Sequence, residues 1–281
     1  MPRWFVTGAG GQLATAFEPL LDGEVFLSRE AALDIRDAAA VYAAVHAFAP
    51  DVILHTAAYT NVDGAEGDPE SATTINVLGT RNVIAAVRGT HTQVVYFSSD
   101  YVFDGAKGAP YVESDEPHPL SVYGRTKLAG EAEVLGWAHG MVVRTSWLFS
   151  ETGVNFVKTI LAAAASKAAT GEPLRVVDDQ VGSPTYAGHL AAAVVEALHL
   201  GVGSGIYHMG GGGYCSWQEL AREVVQIAGI EVAVEPITTV ELGRPALRPP
   251  FSALTSERPI PRLPSWPNGV AAAVDRLLAS G

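Results

Sequence analysis

The chain has 281 residues, of which 48% are hydrophobic and 17% charged, and its formal net charge at pH 7 is −12. That length and apolar content suffice for a substantial core, and the acidic balance excludes nucleic acid and an anionic membrane surface as partners. A single cysteine, Cys215, excludes an intrachain disulfide and a cysteine-based zinc site. The histidines show no metal-ligand spacing, so we predict no metal site. No apolar run approaches the roughly 20 residues of a membrane helix, and we expect a cytoplasmic protein.

Strands and helices alternate along the first half of the chain. The pattern predicts buried strands at 4–6, 25–27, 51–56, 93–97 and 141–144, and helices from Leu13 onward, at 38–48, 74–87 and 123–136. The alternation predicts an α/β fold, a Rossmann-type doubly wound parallel sheet with a smaller C-terminal lobe. We assign residues 1–146 to the dinucleotide-binding domain, with 170–200 returning to it. Residues 147–169 and 201–281 are assigned to a substrate-binding lobe.

The second half of the chain has a looser pattern. We predict helices at 155–169 and 188–200, a strand at 174–177, and extended segments and loops from 236 to 267. Ser216 and Glu219 have the spacing of a capping box, which predicts a helix from that point through Ile227.

A glycine-rich turn follows the first strand and opens the first helix. Residues 7–14 read TGAGGQLA, which places Gly8, Gly11 and Ala14 at the spacing of a dinucleotide-binding turn. The second strand ends at Ser28 and Arg29 rather than at an acidic residue. An arginine there suits the 2′-phosphate of NADPH, so we predict NADPH, with NADH as the alternative cofactor. The simpler interpretation of Arg29 is a solvated surface residue.

Tyr123 and Lys127 are four residues apart at the start of a predicted helix and therefore share one face. A nearby ammonium lowers the pKa of a phenol and makes it a usable proton donor. Ser99 stands at the carboxyl end of a predicted central strand, where side chains face the ligand crevice of such a sheet. The three groups together predict a site that polarises and protonates a carbonyl.

Motifs spread over nearly the whole chain resemble the extended short-chain dehydrogenase/reductases and, within them, the dTDP-4-dehydrorhamnose reductase family. The matching stretches are TGAGGQLA (7–14), AAYTNVDGAE (57–66), NVLGT (76–80), SSDYVFDG (98–105), PLSVYGRTKLAGE (119–131), RTSW (144–147) and DDQVGSPT (178–185), and, more loosely, GIYHMGGG (205–212) and RPPFSAL (248–254). The resemblance implies NADPH-dependent reduction of the 4-keto group of a nucleotide-linked 6-deoxysugar, with dTDP-4-dehydro-L-rhamnose as the expected substrate. It leaves a homodimer open as the assembly.

The family's residue roles carry over where the motifs match. The resemblance implies that Tyr123 protonates the new alkoxide, that Lys127 holds the nicotinamide ribose, and that Ser99, where the family commonly has threonine, polarises the carbonyl. On the cofactor side, the resemblance implies that the pyrophosphate is bound by Gly11, Gln12 and Leu13, the adenine end by Asp34 and Ile35, and the flank of the cofactor by Ala58, Tyr59 and Thr60. On the substrate side, it implies that the sugar pocket is lined by Ser99, Asp100, Tyr101 and Trp147 and that Arg248 binds the nucleotide diphosphate. Asn76 is implied to brace the sheet behind the site. Simpler interpretations exist for four of them: a helix cap for Asp34, sheet packing for Tyr59, plain core for Trp147 and a solvated arginine for Arg248.

Rival functions differ at particular residues. The family's dehydratase relatives place a glutamate where Tyr101 stands, and epimerase-reductases of the fucose-synthase type use a cysteine–histidine shuttle that the downstream Cys215 does not offer. Two alternatives stay open, namely a 4-ketoreductase for another dTDP-deoxysugar in natural-product glycosylation and a non-catalytic NADP-binding regulatory subunit. The presence of both Tyr123 and Lys127 favours an enzyme.

Overall fold

A computed structural model describes residues 1–279. The strands of its main sheet are β1 (Arg3–Thr7), β2 (Glu24–Ser28), β3 (Val52–His55), β4 (Gln93–Ser99), β5 (Gly140–Thr145) and β10 (Gly205–His208). All six are parallel and lie in the order β10-β5-β4-β3-β1-β2, which confirms the predicted doubly wound parallel sheet. The shorter strands are β6 (Leu148–Phe149), β7 (Leu174–Val177), β8 (Val181–Gly182), β9 (Thr185–Tyr186), β11 (Cys215–Ser216) and β12 (Val234–Ile237).

Helices flank the sheet and build the second lobe. They are α1 (Gln12–Phe17), α2 (Ala38–Phe48), α3 (Val62–Gly67), α4 (Pro69–Thr73), α5 (Thr80–Val87), α6 (Val122–Leu135), α7 (Phe156–Thr170), α8 (Ala187–His199), α9 (Trp217–Ile227), α10 (Thr239–Leu242) and α11 (Trp266–Ala279). Short 3₁₀ turns cover Glu18–Leu20 and Asp100–Val102. Among the described residues, no helix combines the length and the apolar composition needed to cross a membrane.

The central strands are apolar because helices cover both faces of the sheet. All residues of β3 and β5 are buried, as expected for parallel strands that contact protein on each side. Successive side chains of β1 point to opposite faces: Trp4 and Val6 pack into the core under α1 and α8, whereas Phe5 packs into the core under α2 and α5. The carboxyl ends of β1, β3, β4 and β5 therefore meet at one edge.

The smaller lobe has its own apolar core, built from α7, α9, α11, β7 and β12. The division of the chain between the sheet domain and the smaller lobe differs from the predicted one in two places. Residues 170–200 were predicted to return to the sheet domain. Within them, β7 pairs with β12 outside the main sheet, whereas α8 packs on α1. β10, which was assigned to the lobe, instead joins the main sheet beside β5. Its four residues carry too little apolar periodicity to indicate a strand. Residues 280 and 281 of the predicted lobe lie outside the described residues.

Local capping explains where several helices begin. The capping box of Ser216 and Glu219 is confirmed at the start of α9. The helix predicted at 74–87 is a six-residue π-helical segment, Thr74–Gly79, followed by α5. Two short helices precede it because Asn61 and Asp68 cap them, accepting hydrogen bonds from Gly64 N at 2.9 Å and Ser71 N at 3.0 Å.

Candidate active site

The glycine turn between β1 and α1 needs glycine at two positions. Gly8 has φ of +72°, and a Cβ there would lie 2.8 Å from backbone atoms of Ala57. Gly10 has φ of +89°, but nothing lies within 4 Å of the position of its Cβ. The turn thus packs tightly against the sheet at Gly8 and is open at Gly10. α1 begins after Gly11, whose position provides no side-chain cap for the first amides of the helix.

A cavity of about 660 Å³ lies at the carboxyl edge of the sheet and includes this turn. That volume is within the usual range of about 300 to 1,000 Å³ for small-molecule sites. It brings together most of the predicted site residues, namely Gly8, Gly11, Gln12, Leu13, Asp34, Ile35, Ala58, Thr60, Ser99, Tyr123, Lys127 and Trp147. The position is the one at which open α/β sheets bind ligands.

The cofactor end of the cavity contains an arginine that the sequence did not single out. Arg36 lines the cavity, whereas Arg29 does not. Arg29 is exposed in the turn after β2, and its carbonyl accepts from Ala32 N and Leu33 N at 2.9 Å. Arg29 is therefore not part of the cavity wall, although its neighbour Glu30 is, and Arg36 is the arginine that lines this end. The predicted contact of Arg29 with the cofactor stays a prediction.

Asp34 and Arg36 form an exposed ion pair at the cavity wall. Arg36 Nε donates to both carboxylate oxygens of Asp34 at 2.9 and 2.8 Å, and this hydrogen bonding holds the pKa of Asp34 below its usual value. The alternative role of Asp34 as the cap of the next helix is not realised. Asp37 caps α2, accepting from Ala39 N and Ala40 N at 3.0 Å. Asp34 therefore keeps its place at the cavity wall.

A loop between β6 and α7 closes part of the cavity against the glycine turn, and no sequence pattern predicts this contact. Ser150 Oγ and Asn155 Nδ2 donate to Gln12 Oε1 at 3.0 and 2.9 Å. Gly153 and Asn155 also line the cavity. Because the partners are about 140 residues apart in the chain, only the fold shows that the side chain of Gln12 is fixed by this loop.

The Tyr–Lys pair lies where α6 begins. Ser121 caps the helix by accepting from Gly124 N at 3.1 Å, and Gly124 permits close contact, since a Cβ there would lie 2.1 Å from Tyr101 O. Burial raises the pKa of Tyr123 to about 12, while hydrogen bonding with Ser99 opposes the rise. The expectation that Lys127 lowers this pKa is not met, because the pKa of Tyr123 is raised by burial and, to a smaller extent, by the charge of Asp100. Tyr123 is therefore protonated at neutral pH and is suited to act as an acid.

Lys127 carries a deeply buried amine. Its side chain is 2% exposed, and Nζ lies 4.1 Å from the ring centre of Tyr96. Burial lowers the pKa of Lys127 to about 7, and the carboxylate of Glu131, one helical turn further on, opposes the lowering. A buried amine in a cavity with a strongly shifted pKa is typical of a functional group.

Asp100, which was predicted to lie in the sugar pocket, is buried and does not line the cavity. It is 2% exposed and accepts hydrogen bonds from the hydroxyls of Ser99 at 3.0 Å, Ser146 at 3.0 Å and Ser252 at 2.5 Å. Burial raises the pKa of Asp100 to about 6 despite these hydrogen bonds. Three serines from separate segments hold the carboxylate, and the predicted role of Asp100 in the sugar pocket stays a prediction. The carboxylate of Asp100 thus orients the hydroxyl of Ser99 by accepting its hydrogen bond.

Three further predicted residues also lie outside the cavity lining. Tyr101 is buried and contacts the ring of Tyr123 edge to face, with 5.9 Å between ring centres. Arg248 donates to both carboxylate oxygens of Asp63 at 3.0 and 2.8 Å, so it is neither solvated nor free. Tyr59 exchanges backbone hydrogen bonds with the side chain of Asn76, at 2.8 and 3.1 Å. These contacts brace the cavity from outside.

The role of Asn76 as a brace stays a prediction, to which the structure adds one more contact. Asn76 Nδ2 also donates to Thr126 Oγ1 at 3.0 Å, which joins the loop after β3 to the helix of Tyr123 and Lys127.

Within residues 1–279, no group of three or more His, Cys, Asp or Glu side chains is arranged to hold a metal ion.

Comparisons with known proteins agree on one family. The family model described as RmlD substrate binding domain matches residues 3–279. A dTDP-4-dehydrorhamnose reductase of Streptomyces griseus is 40% identical over 267 residues, covering 92% of this chain and 86% of the relative. A dTDP-4-keto-6-deoxy-D-glucose reductase of Streptomyces niveus is 36% identical over 259 residues, covering 90% and 88%. The crystal structure of a dTDP-4-dehydrorhamnose reductase from Bacillus anthracis in complex with NADP has a TM-score of 0.92 at 35% identity, covering 100% of this chain and 99% of that one.

Proposed function

Because the chain belongs to the dTDP-4-dehydrorhamnose reductase family, described as RmlD substrate binding domain, we propose that it is an NADPH-dependent oxidoreductase acting on a dTDP-linked 6-deoxysugar. The reaction is reduction of the 4-keto group of dTDP-4-dehydro-L-rhamnose to give dTDP-L-rhamnose. The observation that carries the proposal is the meeting of Ser99, Tyr123 and Lys127 in the cavity that also contains the glycine turn.

The residues of the cavity fit a dinucleotide. The turn leaves open space beside Gly10, where no side chain blocks a pyrophosphate. The buried hydroxyls of Ser98 and Thr145, which line the cavity, have no hydrogen-bond partner in the described chain. Gly8, Gly11, Gln12 and Leu13 would hold the pyrophosphate, Asp34, Ile35 and Arg36 the adenosine end, Ala58 and Thr60 the flank, and Lys127 the ribose next to the nicotinamide. Bound NADPH supplies the hydride that adds to the carbonyl carbon.

The proton is supplied by the protein. Tyr123 donates its hydroxyl proton to the carbonyl oxygen as that oxygen becomes an alkoxide, and a protonated phenol is the form present at neutral pH. Ser99 donates a second hydrogen bond to the same oxygen, which stabilises its developing charge. To reach the carbonyl, Ser99 Oγ turns from Asp100 Oδ1, while Ser146 and Ser252 keep donating to Oδ2 of that carboxylate.

The substrate's identity is the part for which an alternative has specific support. The relative from Streptomyces niveus, named for the reduction of dTDP-4-keto-6-deoxy-D-glucose, is nearly as similar as the relatives named for dehydrorhamnose reduction. A 4-ketoreductase for another dTDP-deoxysugar is therefore the second candidate. A non-catalytic regulatory subunit has no such support, since it would not need the acid, the amine and the hydroxyl in one cavity.

The setting of the reaction follows from its reactants. NADPH and nucleotide sugars are charged molecules that do not cross membranes unaided, so we place the reaction in the cytoplasm. The homodimer that the resemblance leaves open stays a prediction, which sedimentation velocity of the purified chain tests.

The experiment is a product analysis. The purified chain is incubated with NADPH and, separately, with dTDP-4-dehydro-L-rhamnose or dTDP-4-keto-6-deoxy-D-glucose, and the configuration at C4 of the product is read by NMR. Preferred conversion of the first sugar to dTDP-L-rhamnose supports the proposal. Preferred conversion of the second favours the alternative, and NADPH binding without turnover of either contradicts both.

A further inference from the structure

Trp147 forms part of the cavity wall on an unfavourable backbone conformation. It follows β5, and its φ is +46°; among the described residues, Ala49 is the only other non-glycine residue at positive φ. A bulky side chain in the left-handed region is disfavoured and persists only where surrounding contacts hold it. Something in the fold must therefore hold Trp147.

Trp217, the first residue of α9, provides that contact. Its indole stacks on that of Trp147, with 3.5 Å between ring centres and an angle of 6° between ring planes. The backbone of Gly182 gives the ring room, because a Cβ there would lie 2.4 Å from Trp147 Cε2. The indole of Trp147 thus contacts both a bare backbone and a parallel aromatic plane.

Trp217 is itself fixed by the smaller lobe. Its Nε1 donates to Gln180 Oε1 at 3.2 Å, and the ring of Phe156 packs on it with 4.5 Å between centres. The capping box of Ser216 sets the start of α9, on which Trp217 lies. Trp217 does not line the cavity, so any effect on a ligand passes through Trp147.

We propose that Trp217 is a positioning residue for the reductase reaction, which holds the Trp147 indole as a flat apolar wall of the cavity that contains Ser99 and Tyr123. This inference rests on the proposed function. A flat indole suits the C–H-rich face and the methyl group of a 6-deoxyhexose, which present apolar surface. The stack also joins the lobe to the sheet, so that the position of the sugar depends on how α9 is seated.

The test compares Trp217→Leu with the conservative Trp217→Phe. Trp137→Leu is the matched control, because Trp137 is likewise a partly buried tryptophan whose Nε1 donates a hydrogen bond, in its case to the backbone carbonyl of Thr92 at 3.0 Å, but it lies outside the cavity. We expect kcat/KM for dTDP-4-dehydro-L-rhamnose to fall on the order of 100-fold in Trp217→Leu, as is typical when a reacting group is misplaced by about 1 Å. Trp217→Phe loses less, and the control keeps the wild-type value.

Two further readouts separate positioning from a general structural role. The dissociation constant of NADPH stays unchanged in Trp217→Leu, and the exciton signal of the stacked indoles in circular dichroism disappears in that variant but not in Trp137→Leu. In addition, Trp147→Ala combined with Trp217→Leu loses no more kcat/KM than Trp147→Ala alone, since the second residue acts through the first.

Distinct results overturn the inference and the proposed function. An inactive wild type that still binds NADPH contradicts the proposed function and removes the role assigned to Trp217 with it. With an active wild type, unchanged kcat/KM in Trp217→Leu, or independent losses in the double variant, overturns the positioning role alone. If Trp217→Leu does not fold, Trp217→Phe decides, and a wild-type kcat/KM in that variant overturns the inference.

Discussion

Replacing Arg144 with methionine should destabilise the protein strongly, because it breaks a buried ion pair behind the active site. Arg144 in β5 donates to both carboxylate oxygens of Glu131 in α6, at 2.9 and 2.7 Å, and each side chain is 2% exposed. The variant leaves the charge of Glu131 buried and unpaired. The expected loss is about 3 to 5 kcal/mol in the free energy of unfolding. That is a large share of the roughly 5 to 15 kcal/mol typical of a folded domain.

Urea unfolding at pH 7, followed by circular dichroism, measures this loss. The matched control is Arg81→Met, which breaks the pair of Arg81 in α5 with Glu133 in α6, at 2.7 Å and with side chains 57% and 25% exposed. We expect only a small change there, since water screens the pair. The double variant Glu131→Met with Arg144→Met should recover most of the stability, because no unpaired charge remains. Equal midpoints for Arg144→Met and Arg81→Met would refute the reasoning.

Three further predictions concern the cofactor end and Lys127. Gly8→Ala should weaken NADPH binding more than Gly10→Ala. A Cβ at Gly8 would lie 2.8 Å from backbone atoms of the loop after β3, whereas a Cβ at Gly10 meets nothing within 4 Å. Isothermal titration calorimetry compares the dissociation constants of NADPH for the two variants. Arg36→Ala should reduce affinity for NADPH more than for NADH, while Arg29→Ala changes neither; equal effects would contradict the placement. Burial lowers the pKa of Lys127 from 10.5 to about 7, so between these pH values the unfolded chain binds the extra proton. The stability of the wild type relative to Lys127→Met should therefore rise with pH across that range, and a constant difference in urea midpoint would contradict it.

Much of the fold follows from local sequence patterns. α2 has the predicted limits because Asp37 caps its start and Pro50 follows its end. The buried strands were predictable because parallel strands covered on both faces need continuous apolar runs. β10 was missed because its four residues, Gly205–His208, lie beside β5 through tertiary packing rather than through an apolar pattern of their own.

The site was most readily predicted where residues act through the backbone or through a single helix turn. The glycine turn and the spacing of Tyr123 and Lys127 are local features, and the cavity contains both. The orientation of Asp100 depends on hydroxyls from distant segments, Ser146 and Ser252. The stack of Trp217 on Trp147 likewise joins residues far apart in the chain. No periodicity in the sequence reports such contacts, because they depend on how the lobe packs on the sheet.

The most direct test of the central claim is the rate of NADPH oxidation with dTDP-4-dehydro-L-rhamnose in Tyr123→Phe beside the wild type. The variant keeps the ring in its contact with Tyr101 and removes only the acidic hydroxyl. We predict a loss in kcat of about 10²- to 10⁴-fold, the usual contribution of a general acid, with NADPH affinity unchanged. A variant that turns over at the wild-type rate would contradict the assignment of Tyr123 as the proton donor.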